Sequence, residues 1–125
     1  MTNCIILTHA FIREEEAYKL EILEFATKHW RYNNPNSYII LAGHGLQPTV
    51  TECDYVHWEE KINEKDINVG HPHLCNKAYD IAAARGFTKI LKSRSDSIHL
   101  IKNICGYADK LLQDKNMLVT QQTTL

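Results

Sequence analysis

The sequence predicts a three-layer α/β fold, a mainly parallel sheet with helices packed on its faces. Three observations predict it. Short apolar runs alternate with longer amphipathic ones along the chain. The short runs are apolar at consecutive positions rather than at every second one, the pattern of strands covered on both sides. The chain has 125 residues, the size of one domain, with no internal repeat and no low-complexity linker.

The elements follow in order. NCIILTHAF is rich in β-branched residues and predicts strand one. IREEEAYKLEILEFATKHWRYN predicts a helix. Three acids in its first turn suit the positive end of the helix dipole, and Lys28, His29 and Arg31 suit the negative end. Leu20, Ile22, Leu23, Phe25, Ala26 and Trp30 give that helix a broad apolar side. NNPNS breaks it with Pro35 and turn-forming Asn. SYIILAG, apolar from Tyr38 to Ala42, predicts strand two. GHGLQPT reads as a loop, and CDYVHWEE as a shorter third strand. KINEKDINVGHPH is polar and reads as irregular. LCNKAYDIAAARG predicts a helix with Leu74, Ala78, Ile81, Ala82 and Arg85 near one stripe and Gly86 as its stop. FTKILKS predicts strand four. Ile101, Ile104, Cys105, Ala108, Leu111 and Leu112 recur at spacings of three and four and predict a last helix. NMLVTQQTTL predicts a fifth strand. The order β-α-β-β-α-β-α-β is Rossmann-like, and in such sheets ligands sit beyond the carboxyl ends of the strands.

Composition narrows the function. At 44% hydrophobic and 23% charged, the chain can build a core. A net charge of -1 argues against broad electrostatic binding to nucleic acid or an anionic membrane, while local cations can still meet a small anion. Cys4, Cys53, Cys75 and Cys105 form no C-x-x-C pair and read as reduced thiols, which favours a cytoplasmic location. MTNCIILTHAF has no basic lead, and its apolar run is too short for a signal peptide or a membrane span.

The chemistry gathers at predicted strand ends. ILKSRSDSIHL leaves strand four through Lys92, Arg94 and Asp96, separated by Ser93, Ser95 and Ser97. Asp96 offers a hard oxygen ligand to Mg²⁺ or Mn²⁺. Arg94 and Lys92 match diphosphate charge, and Ser95 and Ser97 can donate to phosphate or sugar oxygens. The plainer alternative is that Asp96 or Ser97 caps the next helix. In HPHLCNK, an H-x-H-x-C metal set (His71, His73, Cys75) competes with a helix start at Pro72. A third possibility turns His73 and Lys77, four apart, toward a phosphate. Gly43-His44-Gly45 reads as a tight turn rather than a dinucleotide fingerprint. His9 and His44 sit at strand ends. Asp54, Glu59 and Glu60 bracket strand three, where a solvated charge is the default and a nucleoside contact the sharper reading.

NKAYDIAAARGFTKILKSRSDSI resembles the segment of GT-A-type glycosyltransferases that leads into their acidic motif. It is most similar to the WavE-type lipopolysaccharide- and capsule-synthesis glycosyltransferases, whose strand ends in K-x-R-x-D, here Lys92-Ser93-Arg94-Ser95-Asp96. IILTHAF, SYIILAGHG and MLVTQQTTL are similar to other strands of that family. In place of a full D-x-D, Arg94 stands two before Asp96. The resemblance implies a GT-A-like domain over residues 1–125, the N-terminal half that binds a nucleoside-diphosphate sugar. A glycan or polysaccharide is the implied acceptor. It further implies Asp96 as ligand of a divalent cation, Mn²⁺ or Mg²⁺. Arg94 and Lys92 would be donor-binding residues, joined by Lys77, Ser95, His9 and His44. The acceptor-binding half of such enzymes would follow Leu125 or be supplied by a homo-oligomer. The alternatives are a non-catalytic Rossmann-like binding or regulatory module and a nucleotidyltransferase. The latter calls for a glycine-rich basic loop after strand one, where this chain has THAFIREEE.

Overall fold

The structure, a computed structural model, describes residues 3–49, 51–60, 67–97, 102–113 and 115, with the backbone alone for 67–71. In chain order it contains β1 (Asn3–Thr8), α1 (Tyr18–Asn33), β2 (Tyr38–His44), β3 (Tyr55–Glu59), α2 (Ile67–Ala84), β4 (Lys89–Arg94) and α3 (Ile104–Leu112). A 3-10 turn at Glu14–Glu16 precedes α1. The four strands form one parallel sheet in the order β3-β2-β1-β4.

Successive strand residues point to opposite faces, and both faces are apolar. Ile5, Leu7, Ile39 and Leu41 pack with Leu23 and Trp30 of α1 and Cys105 of α3. Cys4, Ile6, Ile40 and Ala42 pack with Leu74, Ala78 and Ala82 of α2. The fold is therefore a three-layer, Rossmann-like α/β sandwich. The aliphatic residues of β1 and β2 are fully buried. Each such side chain stabilises the folded state by roughly 1.5–3 kcal/mol relative to an exposed one.

Several boundaries differ from the sequence expectation. β1 is shorter than expected and ends at Thr8, with the last rung of its ladder to β2 running from His9 N to Ala42 O (3.0 Å). The apolar side expected on α1 is divided. Leu23, Ala26 and Trp30 are buried, whereas Ile22 and Phe25 are exposed. α2 begins at Ile67, so residues 67–73 are helical rather than irregular. Pro72 and His73 are exposed and the next residue, Leu74, is buried. Pro72 lies inside this helix, not at its first position. Neither Asp96 nor Ser97 caps α3. That role falls to Asn103, whose side chain accepts from Gly106 N (3.4 Å), and to Asn34, whose Oδ1 accepts from Ile104 N (3.0 Å). Ile101, the polar run 61–66 and the expected fifth strand, 116–125, lie outside the described residues.

Gly43-His44-Gly45 is not a turn. Gly43 and His44 complete β2, and Gly45 forms a parallel bridge with Ile12. Gly45 N donates to Glu59 O (2.9 Å), and Leu46 N donates to Ile12 O (2.8 Å). Gly45 has φ +96°, and a Cβ there would overlap the Ile12 carbonyl oxygen. Gly86, past the end of α2, has φ +84° but open space around it. Gly45→Ala is therefore expected to cost roughly 3 kcal/mol or more, strain plus overlap with backbone. Gly86→Ala is expected to cost about 1 kcal/mol, the left-handed penalty alone. Urea unfolding of both variants checks this, and equal losses would contradict the packing described at Gly45.

Candidate functional site

β1 and β4 are neighbours, yet the chain leaves β1 for α1 on one face and reaches β4 from α2 on the other. Their carboxyl ends lie side by side, and α3, which follows β4, packs with α1 on the same face of the sheet. The residues at those ends are Thr8 and His9 on β1, and Arg94, Ser95 and Asp96 on β4.

The two strand ends are joined by hydrogen bonds. Ser95 N donates to Thr8 O (2.9 Å), extending the β1–β4 pairing by one residue. His9 Nδ1 lies 2.5 Å from Ser95 Oγ, a contact between residues 86 apart in sequence. Ser95 is 0% and His9 7% exposed. Burial is the main force on His9 and pushes its pKa down. Asp96 opposes that shift, while Lys19, Arg94 and His44 reinforce it. His9 is thus a neutral, buried imidazole that pins the turn after β4 to the end of β1.

The turn after β4 is charged at its surface. The Arg94 guanidinium grips Asp96 with both arms, Nε to Oδ1 at 3.1 Å and Nη2 to Oδ2 at 2.8 Å. Both side chains are exposed. Such a surface pair is worth about 0–1 kcal/mol, so the guanidinium can change partners cheaply. Lys92 is exposed two residues earlier, beside Ile6, on the same sheet face as Arg94.

The remaining sequence candidates fall elsewhere. His44 ends β2 but is buried, edge-on to Phe11 with ring centres 5.3 Å apart. Lys77 is exposed on α2, one turn beyond His73. His73 meets Glu59 at the carboxyl end of β3, with Nε2 3.1 Å from Oε1. His57 Nε2 lies 3.5 Å from the same carboxylate. This grouping was missed because Glu59 alone reads as a solvated acid. Its pKa is lowered: burial raises it, but the bonds and charges of His73 and His57 outweigh that. Asp54 lies at the opposite, amino end of β3. Its Oδ2 accepts from Ile39 N (2.8 Å) and Arg31 Nη2 (2.5 Å), so it ties α1 to β2 rather than facing a ligand.

No disulfide forms among the described residues, and burial pushes Cys4 up to about 11 and Cys53 to about 12. These thiols are protonated and unreactive at neutral pH. The H-x-H-x-C segment is helical, not extended, and the His71 side chain lies outside what is described. Among the described residues, no group of three or more His, Cys, Asp or Glu side chains is arranged to hold a metal ion. A cavity of about 540 Å³ opens at the amino end of the sheet, between the Tyr32–Ser37 turn and Lys102-Asn103. Much of its amide lining is already engaged. Asn34 bridges Trp30 O and Ile104 N, and Asn33 Nδ2 contacts His29 Nε2 (3.0 Å). That end of the fold works as a joint between α1 and α3.

No family model, curated protein or solved structure matches the chain. No helix among the described residues is long and apolar enough to cross a membrane.

The buried His9 makes stability depend on pH. Its folded pKa lies below the unfolded value, so below about pH 6.5 the unfolded state binds the extra proton. This contribution is complete above that pH and is lost as pH falls below it. The melting temperature of the wild type is expected to drop between about pH 6.5 and 5. His9→Gln should flatten that part of the profile, and an unchanged slope would remove His9 as its cause.

Proposed function

We propose that the carboxyl ends of β1 and β4 bind the diphosphate of a nucleoside-diphosphate sugar, and that the chain is the donor-binding half of a glycosyltransferase acting on a glycan or polysaccharide hydroxyl. The observation that carries this reading is the position of Arg94. It stands at the carboxyl end of an all-parallel sheet, paired among the described residues with an exposed carboxylate, above a base locked by His9 and Ser95. A diphosphate presents several charged oxygens, pairs of which fit the guanidinium fork, and competes well with a single surface carboxylate.

Charge also selects the side of this strand-end site. Glu14, Glu15 and Glu16 occupy the turn after β1, where they repel an anion approaching α1. The diphosphate is left to the β4 side, with Arg94 nearest and Lys92 behind it. The nucleoside then extends along the strand ends toward β2 and β3.

The donor set does not fit the divalent cation that the family resemblance implies. Asp96 is the single carboxylate in the Arg94–Ser95–Asp96 turn, and both its oxygens already accept from Arg94. In this reading Arg94 itself counters the negative charge that grows on the leaving diphosphate as the glycosidic bond breaks. Asp96 holds the guanidinium in place until the donor arrives.

Calorimetric titration with UDP, GDP, CDP and ADP, with and without Mn²⁺, tests this. One diphosphate is expected to bind without metal. Arg94→Ala should weaken it about tenfold or more, the loss of one charge-assisted pair. Asp96→Ala should leave binding equal or tighter, because it frees the guanidinium. Binding that needs Mn²⁺ and vanishes in Asp96→Ala would restore the cation and overturn the assignment to Arg94. Binding of none of the four would end the donor-site reading.

A further inference from the structure

α1 carries a second apolar stripe, on the side away from its own core. Tyr18, Ile22, Phe25 and Tyr32 are 60%, 51%, 62% and 71% exposed. With His29 they recur at spacings of four, three, four and three, the seam of a two-helix coiled coil. The buried face of the same helix (Leu23, Ala26, Thr27, Trp30, Asn33) is fully used against the sheet. Four large apolar side chains in one exposed row are more than scattered surface residues require.

We propose that this stripe is the seam of a two-fold homodimer, in which α1 packs antiparallel against α1 of a second copy of the chain. The argument for that occupant is charge. Glu21 and Lys28 flank the seam on the same side, one heptad apart. An antiparallel pair that sets Ile22 across the partner's Phe25, and Tyr18 across the partner's His29, brings Glu21 beside the partner's Lys28. Two-fold symmetry repeats the ion pair, so the surface is complementary to itself. Lys28 is now bonded to Glu24 (3.0 Å) on the exposed side of the helix, a contact it exchanges at little cost. An anionic lipid surface fits less well. Over residues 14–31 the acids Glu14, Glu15, Glu16, Glu21 and Glu24 outnumber Lys19, Lys28 and Arg31.

The seam from Tyr18 to Tyr32 is about 21 Å long at 1.5 Å per residue. It buries less than the roughly 800 Å² per partner of a standard interface, so the dimer is weak and reversible.

Sedimentation equilibrium from about 1 µM to about 500 µM tests it, since a small interface dissociates within that range. The apparent mass should rise from 14.4 kDa toward twice that value. Phe25→Glu should remain monomeric with an unchanged melting temperature, because Phe25 is exposed in the protomer. Glu21→Lys and Lys28→Glu should each weaken the dimer about tenfold or more, and the double charge swap should restore it. A monomer at every concentration, or a dimer indifferent to Phe25→Glu, overturns the proposal. So does flotation of the chain with phosphatidylcholine–phosphatidylserine vesicles that Phe25→Glu abolishes, which would make the stripe a lipid face.

Discussion

The pairing of β1 with β4 is the contact on which the rest of this structure depends. β1 is hydrogen-bonded along both edges and covered by helices on both faces, so it has no surface of its own. At its end the ladder does not fray. Ser95 N reaches Thr8 O, and the His9 imidazole closes on the Ser95 hydroxyl, both side chains being buried. A buried polar pair of this kind is costly to break, because each group would be left unsatisfied. The turn that carries Arg94 and Asp96 is therefore fixed at its base, with its charged groups at the surface.

That division suits a binding site. The groups that set position are buried and uncharged, and the Arg94 and Asp96 side chains beside them are exposed and charged. The fold supplies the location by topology alone, since a parallel sheet gathers all its carboxyl ends on one side. The opposite end of the sheet is built differently. There Arg31 gathers Ser37 O, Glu52 O and Asp54, and Asn34 stitches α1 to α3. One end of the molecule uses its polar side chains on itself, and the other keeps a cation on its rim.

The layered fold was legible in the sequence because β1 and β2 are apolar at consecutive positions, Cys4 to Leu7 and Tyr38 to Ala42, which two-sided burial explains. The carboxyl-end location of Arg94 and Asp96 was legible for the same reason, once β4 was placed. Their mutual pairing was not, since an Arg and an Asp two apart in a turn can face any way. The His9–Ser95 contact joins residues 86 apart and leaves no local signal. The start of α2 was hidden by Pro72 and its polar neighbours, residues that read as breakers although Pro72 lies inside the helix. The apolar side of α1 was too wide for one core contact, and that width was the sign of two faces rather than one.

The central position of β1 also governs the order in which the molecule can be built. During synthesis residues 3–8 emerge first, yet their β4 partners follow more than eighty residues later. β2 can pair as soon as α1 has folded, which leaves one edge of β1, a run of aliphatic residues, open to solvent or to other nascent chains until β4 arrives. Pairing so remote in sequence is slow to close. The strand that is most protected in the finished protein is thus the one exposed longest on the ribosome, and it is there that a chaperone would be needed.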